Sequence, residues 1–162
     1  MAPVALLHWS VELEPDNYPV GFGFLMPRIY DLRVLGTLFP SRLFKDRAPQ
    51  GKLLLASFYG GMLDPEASRL DDNSLVDTLN TEHTRIFGRK VNAEVVKILR
   101  YPAAIPQLLP DHPEKIASLL EITNKIPGLF LAGNYLTGVG IDHAVMSGYA
   151  AAENFLKFNN NL

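Results

Sequence analysis

Four apolar residues, Leu129-Phe130-Leu131-Ala132, run into Gly133, Gly138 and Gly140 and then into a stretch of helical spacing that reaches Phe158. An apolar strand, a glycine-rich joint and a helix in that order form half of an α/β unit. Such a joint leaves the first helix amides without intrahelical acceptors and turns the positive end of the helix dipole outward; glycines then let an electronegative group come close to the backbone. The spacing here, G-x4-G-x-G, is not the dinucleotide fingerprint G-x-G-x-x-G, and it lacks the Lys and Ser/Thr of a nucleoside-triphosphate loop. Two readings stay open: a backbone that faces a ligand, or glycines that only make a turn and allow close helix–strand packing. Asp142 in the first helical turn fits simple complementation of the dipole and disfavours a phosphate at the same spot. Small residues at Ala144, Ser147, Gly148 and Ala151, with apolar ones at Ile141, Val145, Tyr149, Ala152, Phe155 and Leu156, predict a helix packed on more than one side.

The first half has a different texture. Val4–Leu13, Tyr18–Met26, Arg33–Phe39 and Lys52–Tyr59 read as strands, separated by turn formers such as Glu14-Pro15-Asp16-Asn17 and Arg47-Ala48-Pro49-Gln50-Gly51. Strands at this spacing predict an antiparallel or mixed sheet. Asp71-Asp72-Asn73-Ser74 supplies helix-capping side chains, Leu75, Val76, Leu79, Ile86 and Phe87 follow at helical spacing, and Gly88 stands where a left-handed cap belongs. A helix over 73–87 is therefore predicted. Val91–Tyr101 alternates as a strand that Pro102 should stop, Ala103–His112 reads as an ordered loop, and Pro113–Asn124 as a helix with proline in its first turn. The Asn159-Asn160-Asn161 tail is expected to fray.

At 162 residues and 48% hydrophobic content, the chain can bury one ordinary core. The net charge of −2, with no cluster of Lys and Arg, argues against a nucleic-acid partner. With no cysteine, thiolate metal sites, iron–sulfur ligation and cysteine nucleophiles are excluded, so any redox chemistry must belong to a bound cofactor. No apolar run is long enough to span a bilayer, and the expected setting is cytoplasmic, at most peripheral to a membrane. His8, His83, His112 and His143 lie far apart without metal-ligand spacing, and no metal is expected. Ser41 and Ser57 lack the G-x-S-x-G turn of a serine hydrolase. Asp71, Asp72 and Glu82 read as capping residues and a solvated helix face.

The run Leu131 to Ile141, LAGNYLTGVGI, resembles the flavin-contacting C-terminal segment of the oxygen-dependent protoporphyrinogen and coproporphyrinogen oxidases, within the wider amine-oxidase and phytoene-desaturase flavoprotein group. Further runs follow that family's order: Gly21 to Arg28 (GFGFLMPR), Leu35 to Phe44 (LGTLFPSRLF), Arg47-Ala48-Pro49, Leu53 to Gly61 with its closing glycine pair, and Val96 to Gln107. The resemblance implies a mixed α/β architecture: a sheet-rich part of a substrate-binding domain over residues 1–90, and the C-terminal segment of a Rossmann-like FAD-binding domain over 91–162. It implies an FAD enzyme that removes six electrons from a porphyrinogen in three oxidations and passes them to dioxygen, giving hydrogen peroxide. Val139, Gly140 and Ile141 would touch the isoalloxazine end of the flavin, with Gly133, Asn134, Tyr135 and Gly138 beside them. Tyr101 would stand close to the flavin and Phe22 would line the porphyrinogen cavity, although an aromatic at a strand end is more often simply core.

The family's N-terminal strand, its G-x-G-x-x-G and its acidic ribose ligand do not occur in this sequence. The resemblance thus implies a chain corresponding to the C-terminal third or so of the enzyme, holding one end of a flavin site. Taken alone, it is expected neither to retain FAD nor to oxidise a porphyrinogen, and its uncovered apolar surface should drive it to a homo-oligomer. Another flavin amine oxidase or a carotenoid desaturase would share the last helix but not the GFG, LGT and RAP succession. A truncated, non-catalytic interaction module would share every motif.

Overall fold

The computed structural model describes residues 1–12 and 18–160. Leu13 and the Glu14–Asn17 turn lie outside the described residues, as does Asn161. Contacts gather the chain into two compact units, divided between Ala104 and Ile105. The sequence places its boundary near residue 90, but on another criterion, the assignment of segments to the domains of a longer family member. Glu94–Ala104 therefore compacts with the sheet that precedes it.

That sheet has five strands. Strand β1 (Ala2–Glu12) pairs antiparallel with β4 (Lys52–Gly60), from Val4 opposite Gly60 to Glu12 opposite Lys52. Strand β3 (Val34–Leu38) continues antiparallel on the other side of β4, and β2 (Gly23–Leu25) on β3. Strand β5 (Glu94–Ile105) closes the order β2-β3-β4-β1-β5. The alternation in β1 sets the buried face: Ala5, Leu7, Trp9 and Val11 stand directly opposite Tyr59, Ser57, Leu55 and Leu53, and all eight are buried. Helix α2 (Asp72–Phe87) covers this face with Leu75, Leu79 and His83, one residue every four.

Both ends of α2 form as its sequence predicts. The Asp71 carboxylate accepts the Ser74 amide at 3.0 Å, and Gly88, at φ 66°, donates its amide to the Thr84 carbonyl.

Several expectations give way. Of Tyr18–Met26 only Gly23–Leu25 joins the sheet; a Cβ at Gly23 would collide with the Thr37 carbonyl, so glycine permits the close approach of β2, while Tyr18 instead packs edge-on against Phe87. Strand β5 runs through Pro102 to Ile105; it is an edge strand, the place in a sheet where a residue without an N–H is tolerated. Leu129–Ala132 is neither strand nor buried: it runs unpaired, and Leu129 is 41% exposed. A strand exists only through a neighbour, and no strand is formed among the described residues of 106–160. A four-residue helix α1 (Pro40–Leu43) and a 3-10 turn at Pro65–Arg69 form where no periodic signal marks them.

Glu82 is the sharpest correction. It is not on a solvated face but 7% exposed, and its two oxygens accept the amides of Arg33 at 2.6 Å and Val34 at 3.0 Å. Burial pushes its carboxyl pKa up against the pull of those amides. Beside it the Tyr59 hydroxyl is buried without a hydrogen bond of good geometry, and burial first, then the nearby carboxylate, raises its pKa.

The second unit holds α3 (His112–Thr123) and α4 (Ile141–Asn159), both predicted, with Pro113 in the first turn of α3. Its packing is thin. Phe130 meets Phe155 and Phe158 edge-on at 6.3 and 6.1 Å, yet none of the fully buried apolar side chains of the described chain lies here.

Candidate functional site

Each glycine of the joint has a side chain folded against it. Gly133 has φ 150°, and a Cβ there would fall 2.5 Å from the Tyr135 ring. A Cβ at Gly138 would fall 2.6 Å from the His143 ring, and one at Gly140 would strike the Asp142 carboxylate. The chain then enters α4 at Gly140, whose extended backbone (φ −69°, ψ 157°) caps the helix with no side-chain hydrogen bond. The first-turn amides thus meet no capping side chain from Gly140, in the geometry that serves electronegative groups at helix N-termini.

Hydrogen bonds fix the joint's shape. The Gly133 amide donates to Ser147 Oγ at 2.8 Å, Leu136 N–H returns to the Gly133 carbonyl at 3.3 Å, and His112 Nε2 donates to the Leu136 carbonyl at 3.4 Å. Asp142 is held below the ordinary carboxylate range, first by the His143 amide and then by the His143 ring, whose Nδ1 stands 3.2 Å from Asp142 Oδ1. An ionised carboxylate at this spot repels a diphosphate but tolerates a neutral ring carbonyl. The joint therefore suits a neutral electronegative group better than a diphosphate.

A shallow groove of about 490 Å³ runs along α4 between Leu131, Leu136 and His143 at one end and Asn154 at the other. The helix beyond it is bare: no residue of α4 is buried, and Ile141 is 86% exposed. The expected packing on more than one side is not met within the described residues.

Of the residues singled out in the sequence, Gly133, Asn134, Gly138, Val139, Gly140 and Ile141 come together in this joint. Tyr101 and Phe22 belong to the sheet unit. They stand at its opposite edges, Tyr101 on β5 and Phe22 just before β2, and both are exposed, at 46% and 64%. Sequence reasoning missed the staple formed by Ser147, which it took only for a small residue. No local signal could have found it, because its partner lies 14 positions away.

A second polar cluster was also missed. Under the sheet, Trp9 Nε1 donates to Ser57 Oγ at 2.8 Å, Ser57 and Thr37 share a hydroxyl hydrogen bond of 2.9 Å, and His83 Nε2 lies 2.8 Å from Thr37 Oγ1. His83 Nδ1 faces the Leu79 carbonyl at 2.9 Å, which can only accept, so Nδ1 carries the proton and Nε2 accepts. Burial depresses the His83 pKa to about 4. The cluster is closed to solvent and joins β1, β3, β4 and α2; it is a structural lock.

Among the described residues no group of three or more His, Asp or Glu side chains is placed to hold a metal ion, and no helix is long and apolar enough to cross a membrane.

The chain matches the family model described as "Flavin containing amine oxidoreductase" over residues 9–156. It is 33% identical over 147 residues to the chloroplastic protoporphyrinogen oxidase of Nicotiana tabacum, covering 88% of this chain and 27% of that protein. It is 25% identical over 150 residues to the coproporphyrinogen III oxidase of Bacillus subtilis (strain 168), covering 92% of this chain and 31% of the relative. In three dimensions it resembles a crystal structure of "Putative protoporphyrinogen oxidase from Exiguobacterium sp. 255-15", with TM-score 0.80, 20% identity, and coverage of 96% of this chain and 35% of that one. That likeness establishes a mixed α/β fold of this kind. The chain thus spans about a third or less of each protein it matches.

Proposed function

The chain belongs to the family of flavin-containing amine oxidoreductases, and within that family we propose that it is the C-terminal part of an FAD-dependent oxidase that converts protoporphyrinogen IX to protoporphyrin IX with dioxygen as acceptor. The observation that carries this reading is the joint. It is a backbone stripped of side chains at Gly133, Gly138 and Gly140, opening on a helix N-terminus whose cap residue offers no side chain. Relatives bearing the protoporphyrinogen oxidase name match over 88% and 93% of this chain.

Bound FAD would supply the hydride acceptor and the route for electrons to dioxygen. The chain's own contribution is positional and electrostatic. The backbone of Val139, Gly140 and Ile141 would face the electronegative edge of the ring, where helix-end amides favour negative charge as it builds up on reduction. Gly138 and Gly133 give the approach its clearance, Asn134 would reach the ribityl or ring region, and Asp142 keeps phosphate away. Phe22 would line the porphyrinogen cavity and Tyr101 would stand near the flavin. On this reading residues 1–90 serve the substrate-binding domain and 91–162 the FAD-binding domain.

The same geometry limits the chain by itself. Nothing in the joint would grip the diphosphate, and the exposed apolar side of α4 would need the rest of a family-length polypeptide to cover it. Alone, the chain should form homo-oligomers or settle at a membrane surface, hold no FAD and oxidise no porphyrinogen. The test is aerobic oxidation of protoporphyrinogen and coproporphyrinogen, followed by porphyrin fluorescence, with a family-length protein that carries this chain. FAD-dependent fluorescence from protoporphyrinogen is expected, preference for coproporphyrinogen would move the substrate, and no FAD-dependent porphyrin from either would sink the assignment.

A further inference from the structure

Ser147 stands in the second turn of α4 and holds the start of the joint against the helix. Its hydroxyl lies 2.8 Å from both the Gly133 amide and the Ala144 carbonyl. A carbonyl only accepts, so the hydroxyl proton is committed to Ala144 and a lone pair remains for Gly133. The joint is therefore fastened at both ends: through the chain where Gly140 caps α4, and through Ser147 at Gly133. Between the two fastenings the Leu136 turn is tied to the Gly133 carbonyl, and the Leu136 carbonyl is taken by His112. Gly133 itself has φ 150°, and the Tyr135 ring lies over the place a Cβ would take.

We infer that Ser147 is a positioning residue of the cofactor site: by fixing the Gly133 peptide it sets where the backbone of Val139, Gly140 and Ile141 stands against the flavin ring. The inference rests on the flavin reading of the joint given above. Ser147 need not touch the ring. Its role is to keep the joint from lifting away from α4, so that the amides meet the ring at the distance where charge on the reduced form is best stabilised.

The test compares Ser147→Ala with Ser147→Thr in a family-length protein that carries this chain and is loaded with FAD; threonine keeps the hydroxyl and both hydrogen bonds. The first readout needs no flavin. Hydrogen exchange in the peptide containing Gly133 should quicken at least about tenfold in S147A and stay near the parent rate in S147T. The second is the two-electron midpoint potential of bound flavin: loss of about tenfold in the relative affinity for the reduced form lowers it by about 30 mV in S147A, and S147T restores it. A Gly133 amide no better protected in the parent than in S147A overturns the inference, and so does an S147A protein that binds FAD at an unchanged potential. A parent protein that takes up no FAD overturns the flavin reading and this inference with it. The exchange result then shows whether the staple itself was sound.

Discussion

His83 and Glu82 are neighbours in sequence, both buried, and they answer pH in opposite senses. His83 is neutral, with its folded pKa pushed down to about 4 from an unfolded value near 6.5. Unfolding therefore takes up a proton, and the stability His83 provides is complete above about pH 6.5 and drains away as pH falls toward about 4, by roughly 3 kcal/mol in all. Glu82, whose pKa is raised, gains from protonation in the folded state over the carboxylate range. Urea midpoints between pH 7.5 and 5 should fall for the parent and stay nearly level for His83→Gln. Equal slopes for the two would show that the histidine is not buried neutral. Glu82→Ala leaves the Arg33 and Val34 amides without acceptors and should cost about 2–4 kcal/mol at pH 7, read from the same titration. An exposed glutamate would show almost no loss.

At the scale of elements, legibility in the sequence followed the range of the cause. Helix α2 could be read at both ends because Asp71 and Gly88 act on amides and carbonyls within one turn. Glu82 was misread because its partners lie across the sheet unit on β3 and just before it, beyond any local pattern. Pro102 reads as a stop, yet a proline forbids a ladder only where its amide would have paired, and the position of β5 at the sheet edge is a property of the whole topology. Leu129–Ala132 looks like a strand because apolar residues mark a place in a sheet, but no strand forms beside it among the described residues of its unit. The joint was legible as a joint, while Ser147, which holds it, was not. Two substitutions test this level. Pro102→Val should change stability by no more than about 0.5 kcal/mol, as expected at an edge. Gly23→Ala should cost about 1–3 kcal/mol by prising β2 from β3, visible as lost exchange protection in Gly23–Leu25. Indifference at Gly23 would mean that β2 does not pair as described.

At the scale of the molecule, the two compact units differ in self-sufficiency. The sheet unit buries Trp9, Tyr59, Phe39, Leu7, Leu53, Leu55, Leu75 and Leu79, whereas the unit from Ile105 onward buries no residue of α4. The isolated chain should accordingly show slow amide exchange in β1 and β4 and fast exchange in α4. Equal protection in both would show that α4 finds its own cover. The central claim, that the glycine joint is the flavin-ring end of a site completed elsewhere, is tested most directly by flavin content after gel filtration. The measurement is made on the isolated chain and on a family-length protein that carries it, with and without the paired changes Gly138→Ala and Gly140→Ala. The account predicts a colourless isolated chain, a yellow parent with one flavin for each chain, and a marked loss of flavin in the glycine variant. An isolated chain that keeps stoichiometric FAD, or a parent whose flavin is indifferent to both glycines, would contradict it.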